Sequence, residues 1–182
     1  QLAYVLSDYK TGRLSLYSFD IETNEYKELL YTHPEYDVAS VIERDDKIIG
    51  VTYFDDFLQK HYFGGQDDKQ SQLISNTFSQ LETYIVSRSD DKTKLLVYGV
   101  TDDKPGRYYL VDLAQGKATP WYSEYPYLVE KQNAKVENFS LKTDDGLTIH
   151  GYLTKPIDSS TEAPLIVFPH GGPDARDYKY FN

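Results

Sequence analysis

The stretch TDDKPGRYYLVD, residues 101–112, has a counterpart near the start of the chain, SDYKTGRLSLYSFD, residues 7–20. In both, a polar turn with Lys, Gly and Arg leads into an aromatic and aliphatic run that closes on an aspartate, Asp20 or Asp112. These aspartates are 92 residues apart, which leaves room for one more unit whose equivalent strand contains HYF, residues 61–63. A period of about 46 residues with four short strands is typical of a β-propeller blade, and a β-sandwich with similar turns is the alternative.

The first 125 residues consist of short apolar or alternating runs bounded by turn residues, which is the pattern of β-strands. No segment there has a sustained 3.6-residue apolar period, so we expect no helix. The sequence predicts a mainly β fold, a partial β-propeller of about two and a half four-stranded blades. The predicted strands are Leu2–Ser7, Leu14–Asp20, Tyr26–Thr32, Val38–Arg44, Ile48–Phe54, Lys60–Gly64, Gln72–Ser75, Thr83–Arg88, Lys94–Val100, Arg107–Leu113 and Ala118–Tyr122.

Composition narrows the class of partner. The 182 residues include 18 Tyr and 8 Phe, which suit half-buried faces of strands, and the formal net charge is −10. This charge argues against nucleic acid and anionic membrane surfaces, which require clustered Lys and Arg, and solubility is its simplest role. No apolar run approaches the roughly 20 residues of a membrane span. The chain has no Cys and suits the cytoplasm or the periplasm, and without Met we expect that it does not begin at a native start.

Pairs of aspartates recur in the predicted turns, and calcium binding is the function that they would suggest first. They stand at 45–46, 55–56, 67–68, 90–91, 102–103 and 144–145. Short acidic side chains hydrogen-bond to their own backbone and suit tight turns, whereas the alternating ligand spacing of a calcium loop is missing. The sequence therefore predicts no metal site and no other cofactor.

The character of the sequence changes near residue 123, where the regular succession of strands and turns stops. Ser123–Asn133 is polar and rich in turn formers, which indicates a linker, and we set its bounds at residues 126–134. We therefore predict three parts, namely propeller blades over residues 1–125, the linker, and the first strands of another domain over residues 135–182.

That last part contains a predicted hairpin and a predicted buried strand. Val136–Leu141 and Leu147–Leu153 alternate around an Asp-Gly step, which favours a hairpin turn. Leu165–Phe168 is a continuous apolar run, as in a strand buried on both faces, and it ends in PHGGP at residues 169–173. Glycines bring bare N–H groups close to a ligand, and a strand followed by His-Gly-Gly is how α/β-hydrolases present half of an oxyanion hole. An ordinary glycine turn is the alternative.

Two runs in this part carry a family resemblance. They are VENFSLKTDDGLTIHGYLTKP at residues 136–156 and APLIVFPHGGPDARD at residues 163–177. Together they resemble the domain junction of the prolyl oligopeptidase family of serine peptidases, nearest to its acylaminoacyl-peptidase and dipeptidyl-peptidase branch. The resemblance is specific from about residue 83 onwards and architectural before it. It implies a propeller that screens access to an α/β-hydrolase domain with a Ser-Asp-His triad, of which this chain holds the first strands.

The resemblance also implies candidate site residues in the His-Gly-Gly turn. Gly171 would donate its backbone N–H to the tetrahedral intermediate, and His170 stands where relatives place an oxyanion-side Tyr or His. The alternative for His170 is a structural role in capping the strand. Arg176, beside Asp177, would order the loop or contact a substrate terminus. The remaining histidines have no partner at ligand spacing and are interpreted as structural, namely His33, His61 and His150.

No G-x-S-x-G motif occurs in the sequence, so the nucleophile elbow is missing. Because the triad follows the oxyanion strand in α/β-hydrolases, we expect it downstream of Asn182 and expect this chain alone to be inactive. The predicted function is a fragment of a serine peptidase that acts on short peptides. A non-catalytic scaffold of the same family and an esterase of the same fold are the alternatives. We also expect self-association, or another piece of chain, to cover the exposed strand edges.

Overall fold

The structure is a computed structural model that describes residues 1–65, 69–158, 163–172 and 175–181. The chain forms two compact units, Gln1–Lys69 and Gln70–Asn182. Both are built mainly from antiparallel sheet. The division between the units falls inside the part predicted as propeller blades, and the domain boundary near residue 125 remains a prediction.

The first unit consists of two three-stranded antiparallel sheets. One sheet contains β1 (Leu2–Ser7), β2 (Ser15–Asp20) and β3 (Glu25–Tyr31), and the other contains β4 (Val38–Arg44), β5 (Lys47–Phe54) and β6 (Leu58–Tyr62), which a 3-10 helix at Phe63–Gly65 follows. Strands of both sheets contribute to one core, in which Leu16, Val38 and Val51 are completely buried. Since each sheet supplies part of that core, the two sheets stabilise each other.

The second unit contains a four-stranded antiparallel sheet with a helix packed on one face. Helix α1 spans Lys69–Thr77, and β7 (Glu82–Arg88), β8 (Lys94–Val100), β9 (Arg107–Asp112) and β10 (Lys117–Ser123) pair in the order β10-β9-β8-β7. Ile74 of α1 packs against Leu95, Val97 and Val111 of the sheet and is 2% exposed. This contact forms the core of the second unit.

The strands follow the predicted repeat. β1, β5 and β8 begin at residues 2, 47 and 94, and β2, β6 and β9 begin at residues 15, 58 and 107. Each series spans 92 residues over two repeats, which is the predicted period of about 46 residues. The ten strands β1 to β10 confirm the mainly β fold, and their three sheets of three, three and four strands are consistent with successive propeller blades.

One element of the middle repeat differs from the prediction. The segment predicted as a strand at Gln72–Ser75 belongs to α1, so the expectation that this region contains no helix is wrong. α1 begins at residue 69, between β3 at residue 25 and β10 at residue 117, and therefore takes the place of a fourth strand. Ile74 is its only buried residue and Leu73 is 51% exposed, so no extended apolar period marks the helix in the sequence. Contact with the adjacent core stabilises this helix, although its local sequence does not predict one.

The predicted hairpin is confirmed. β11 (Val136–Lys142) pairs with β12 (Thr148–Thr154), and a second 3-10 helix, Pro126–Leu128, precedes them in the segment predicted as a linker. The Thr143 N–H donates to the Leu147 carbonyl at 2.9 Å, and Gly146 adopts a φ of 88°. The Asp-Gly step therefore supplies the left-handed residue that this tight turn requires.

The predicted buried strand at Leu165–Phe168 is not formed. Its four side chains are 77% to 85% exposed, and within the described residues the run pairs with no other strand. A strand that is apolar on both faces depends on neighbouring strands and covering helices for its environment. The described part of the second unit places neither around this run, so the apolar pattern does not become a strand here.

Candidate oxyanion site

The His-Gly-Gly turn is an exposed loop of the second unit. Nδ1 of His170 lies 2.8 Å from the carbonyl oxygen of Gly171, and because a carbonyl only accepts, the ring donates from Nδ1. Gly172 adopts a φ of 128°, in the region that favours glycine. The structure therefore brings two of the predicted site residues, His170 and Gly171, into direct contact. Pro173, the last residue of the motif, lies outside the described residues.

Gly171 has an accessible backbone donor. Among the described residues its N–H donates to no acceptor, and a Cβ built at this position would meet no heavy atom within 4 Å. Its φ also lies outside the left-handed region. Neither backbone strain nor crowding therefore requires glycine here, and the N–H, which has no acceptor among the described residues, is available to a ligand oxygen. A backbone donor of this kind does not depend on a side-chain rotamer, which is what an oxyanion hole uses.

Arg176 contacts the hairpin. Its Nη2 donates to the Tyr152 hydroxyl at 3.4 Å, and its guanidinium carbon lies 5.3 Å from the centre of the Tyr178 ring. Its Nε donates to the carbonyl of Asp177 at 3.3 Å. These contacts connect Arg176 to the hairpin and to its neighbours in the chain, and both roles proposed for it, ordering of the loop and contact with a substrate terminus, stay predictions.

The segment after the turn is attached to the four-stranded sheet. The Tyr180 hydroxyl lies 2.7 Å from the Tyr84 hydroxyl on β7, and the Phe181 N–H donates to the Thr101 carbonyl at 2.8 Å. The Phe181 ring is also 5.9 Å from the Tyr125 ring. Sequence reasoning missed this attachment because the two tyrosines are 96 positions apart, and no local pattern reports such a contact.

The repeat turn at residues 101–107 is a second attachment point. The Val136 N–H at the start of β11 donates to Oδ2 of Asp102 at 3.0 Å. The side-chain amide of Asn133 donates to the carbonyl of Asp103 at 3.0 Å. The turn that marks the repeat in the sequence thus holds Asn133 and the beginning of the hairpin against the four-stranded sheet.

Four tyrosines lie side by side on the face of this sheet opposite α1. They are cross-strand neighbours, with ring centres 6.4, 4.9 and 5.9 Å apart in the order Tyr84, Tyr98, Tyr108 and Tyr122. The Tyr98 hydroxyl donates to Oε2 of Glu124 at 3.1 Å. Burial, together with the Glu124 carboxylate, raises the pKa of Tyr98, so its hydroxyl stays protonated as a donor. In the sequence, the row corresponds to a tyrosine on each of four paired strands. It can be recognised only when the register of these strands is known.

The aspartate pairs at 45–46 and 90–91 act in turns, as predicted, and the pair at 67–68 lies outside the described residues. Asp45 and Asp46 both adopt left-handed backbone, with φ of 49° and 58°. Asp91 accepts from the Ser89 hydroxyl at 2.6 Å and from the Thr93 N–H at 3.1 Å. These hydrogen bonds, first the one from Ser89, lower the pKa of Asp91 to about 2.

The other histidines have local partners. His33 accepts two backbone N–H groups at Nδ1, both at 3.1 Å, in the turn that it begins. The His61 ring lies 4.5 Å from the Tyr31 ring, and Nδ1 of His150 lies 3.0 Å from Oγ of its cross-strand neighbour Ser140. Each histidine is therefore engaged within its own unit.

Two cavities lie elsewhere in the molecule. The first unit has one of about 620 Å³, and the second unit has one of about 520 Å³. His170, Gly171 and Arg176 line neither of them. In the part of the chain that the structure describes, no three His, Asp or Glu side chains are grouped as a metal site. None of the helices described is long and apolar enough to cross a membrane.

Comparison with known proteins identifies peptidases as relatives. No family model matches the chain. Its curated relatives include dipeptidyl peptidase family member 6 of Caenorhabditis elegans, 26% identical over 194 residues that cover 92% of this chain. They also include dipeptidyl aminopeptidase BIII of Pseudoxanthomonas mexicana, 33% identical over 96 residues that cover 48% of it. The matches span 26% and 14% of the length of these two proteins.

A solved structure supports the fold. A chain from a structural and mechanistic study of two prolyl endopeptidases superposes with a TM-score of 0.50 at 15% identity. The match covers 86% of this chain and 23% of that one, and at this identity it bears on the fold alone. The relatives and the fold confirm the resemblance seen in the sequence: the chain is related to the prolyl oligopeptidase family of peptidases.

Proposed function

We propose that the chain is part of a serine peptidase that hydrolyses short peptides by acyl transfer to the serine of a Ser-Asp-His triad. The observation that carries this proposal is the accessible Gly171 N–H, which lies in a His-Gly-Gly turn of a chain with dipeptidyl peptidases among its relatives. Since the 182 residues contain no G-x-S-x-G motif, the proposal assigns the serine to a part of the protein beyond this sequence.

The chemistry assigned to this chain is stabilisation of negative charge. The serine oxygen attacks the carbonyl carbon of the scissile peptide bond, and the carbonyl oxygen becomes an oxyanion. The Gly171 N–H donates to that oxyanion, and one such donor is typically worth about 10² to 10³ in kcat. His170, whose Nδ1 donates to the Gly171 carbonyl, holds the turn in shape.

The proposed arrangement assigns residues 1–125 to blades that restrict access and residues 135–182 to the beginning of the hydrolase domain, with residues 126–134 as the linker. Two hydrogen bonds within the second unit support a fixed connection. They join Val136 to Asp102 and Phe181 to Thr101, at 3.0 and 2.8 Å. The last blade would thus hold the segments on both sides of the oxyanion turn.

Hydrolysis assays with the full-length protein test the proposal. The substrates are a dipeptide p-nitroanilide with a free N-terminus, its N-acetylated form and a p-nitrophenyl ester. We expect hydrolysis of at least one anilide and its loss after treatment with a serine-directed inhibitor. Hydrolysis of the ester alone would indicate an esterase, and no hydrolysis by folded protein would indicate a scaffold. Either of these results would overturn the proposed function.

A further inference from the structure

The cavity of the second unit is a polar pocket lined by charged side chains. It lies between the residues that follow α1, the start of β9 and the segment after the second 3-10 helix. Its volume of about 520 Å³ is within the range of small-molecule sites, roughly 300 to 1,000 Å³. Lys104 and Arg107 line it together with a single acidic residue, Glu130.

The charges of this pocket differ from those of the whole chain. Two cationic side chains and one carboxylate give the lining a formal charge of +1, whereas the chain carries −10. Neither Lys104 nor Arg107 forms a salt bridge with a described residue. A positive pocket in an acidic protein is an electrostatic site for an anion.

Arg107 supplies the more specific observation. Its Nε is buried and has no hydrogen-bond partner among the described residues. Its guanidinium carbon lies 5.8 Å from the centre of the Tyr109 ring, two positions along the same face of β9. A buried donor without an acceptor is costly, and native proteins nearly always satisfy such groups. Arg107 lines the pocket, so a small movement of its side chain would bring Nε to a ligand oxygen there, which would supply the missing acceptor.

The side chain also suggests which anion fits. Nε and one terminal nitrogen of a guanidinium form a planar fork that matches the two oxygens of a carboxylate. A monoanion neutralises a lining of +1, whereas a phosphate dianion would leave net negative charge beside Glu130. We propose that this pocket binds a carboxylate through Arg107 and Lys104, presented by a small organic acid or by the C-terminus of a short peptide.

The test is isothermal titration of the full-length protein with four probes. These are N-acetyl-dialanine with a free carboxylate, the same compound as a C-terminal amide, propionate and inorganic phosphate. We expect the free carboxylate to bind at millimolar concentration and to bind at least about tenfold more tightly than the amide, because the amide loses a charge-assisted hydrogen-bonded pair. Propionate binding as tightly as the peptide would identify a site for small acids, and peptide binding alone would identify a site for peptide C-termini.

Matched variants assign the effect to the pocket. We expect Arg107→Gln to weaken binding at least about tenfold and Lys104→Gln to weaken it less, since Arg107 alone offers the fork. Lys117→Gln removes the same charge at an exposed position outside the pocket and is expected to leave binding unchanged. Arg107→Gln should also preserve the melting temperature, because it removes an unpaired buried donor.

Several results would overturn the inference. They are equal binding of the carboxylate and its amide, tighter binding of phosphate, absence of binding by any probe, and unchanged binding by Arg107→Gln. A large loss of stability in that variant with no effect on titration would instead assign Arg107 a structural role. Binding is measured without turnover, so failure here and failure of the proposed peptidase activity are separate results.

Discussion

Replacing Gly171 with proline tests whether its backbone N–H acts in catalysis. Proline has no N–H, so Gly171→Pro removes the proposed donor. Gly171→Ala is the matched control, since it keeps the N–H. The structure predicts that alanine fits without a clash, because a Cβ at this position meets no heavy atom of the described residues within 4 Å and φ lies outside the left-handed region.

The magnitudes expected for the two variants differ widely. Loss of one oxyanion donor costs about 10² to 10³ in kcat, or about 2.7 to 4 kcal/mol of transition-state stabilisation. We therefore expect Gly171→Pro to lower kcat of the full-length protein by that factor with a smaller change in KM, since the oxyanion exists only in the transition state. Gly171→Ala should retain kcat within a few fold. The assay is hydrolysis of a dipeptide p-nitroanilide.

Equal effects of the two variants would refute this reasoning. Comparable large losses would mean that the position requires glycine for its backbone or its space, and comparable small losses would mean that the N–H does not act. Circular dichroism and urea unfolding of both variants serve as the control for folding. A proline variant that unfolds at the same urea concentration as the parent protein, yet loses kcat, isolates the missing donor.

Three other contacts can be tested by substitution and measurement of stability. Ile74→Ala removes three buried carbons at about 0.8 kcal/mol each, so the free energy of unfolding in urea should fall by about 2.5 to 4 kcal/mol. The exposed neighbour provides the control, since Leu73→Ala should cost less than about 1 kcal/mol. Equal losses would contradict the packing of α1. The hydrogen bonds that lower the pKa of Asp91 contribute their full stability above the ordinary carboxyl pKa of 3.8, and this contribution is lost as the pH falls toward about 2. The parent protein should therefore be more stable to urea than Asp91→Asn at pH 5, and the difference should vanish near pH 2. A difference in stability that stays the same from pH 5 to pH 2 would contradict this explanation. A double-mutant cycle of Tyr84→Phe and Tyr180→Phe should give a coupling of about 1 kcal/mol, and additive effects would mean that the hydroxyls do not pair.

Turn chemistry and alternation were sufficient to place most of the strands. The predicted bounds of Leu2–Ser7, Val38–Arg44 and Lys94–Val100 are those of the structure. The repeat of the Lys-Gly-Arg turn also located equivalent strands, because both copies of that turn connect neighbouring strands of one sheet. Local signals work well here because a meander pairs each strand with the next along the chain.

The errors fall where the local pattern lacks the deciding contact. α1 buries only Ile74, so its sequence has no helical period, and its packing on Leu95, Val97 and Val111 is decided by residues more than 20 positions away. Leu165–Phe168 has the composition of a buried strand, but in the described residues no strand pairs with it. In both cases tertiary surroundings decide the conformation.

The candidate site was predictable only in part. The residues His170 and Gly171 followed from a motif, because glycines after an apolar run have few chemical uses. Two other features could not be predicted, since each depends on which side chains meet across the fold. They are the attachment of Tyr180 to Tyr84 and the Nε of Arg107, which has no partner among the described residues. Arg107 stood in the turn that reveals the repeat, yet its residue type there is equally compatible with an exposed, solvated side chain.

Labelling with a fluorophosphonate, followed by mass spectrometry, tests the central claim most directly. The full-length protein and the 182-residue chain are treated in parallel, and the modified residue is identified in each. The account predicts labelling of the full-length protein at a single serine beyond residue 182 and no labelling of the 182-residue chain. Failure of the folded full-length protein to react, or labelling of a serine within the 182 residues, would contradict it.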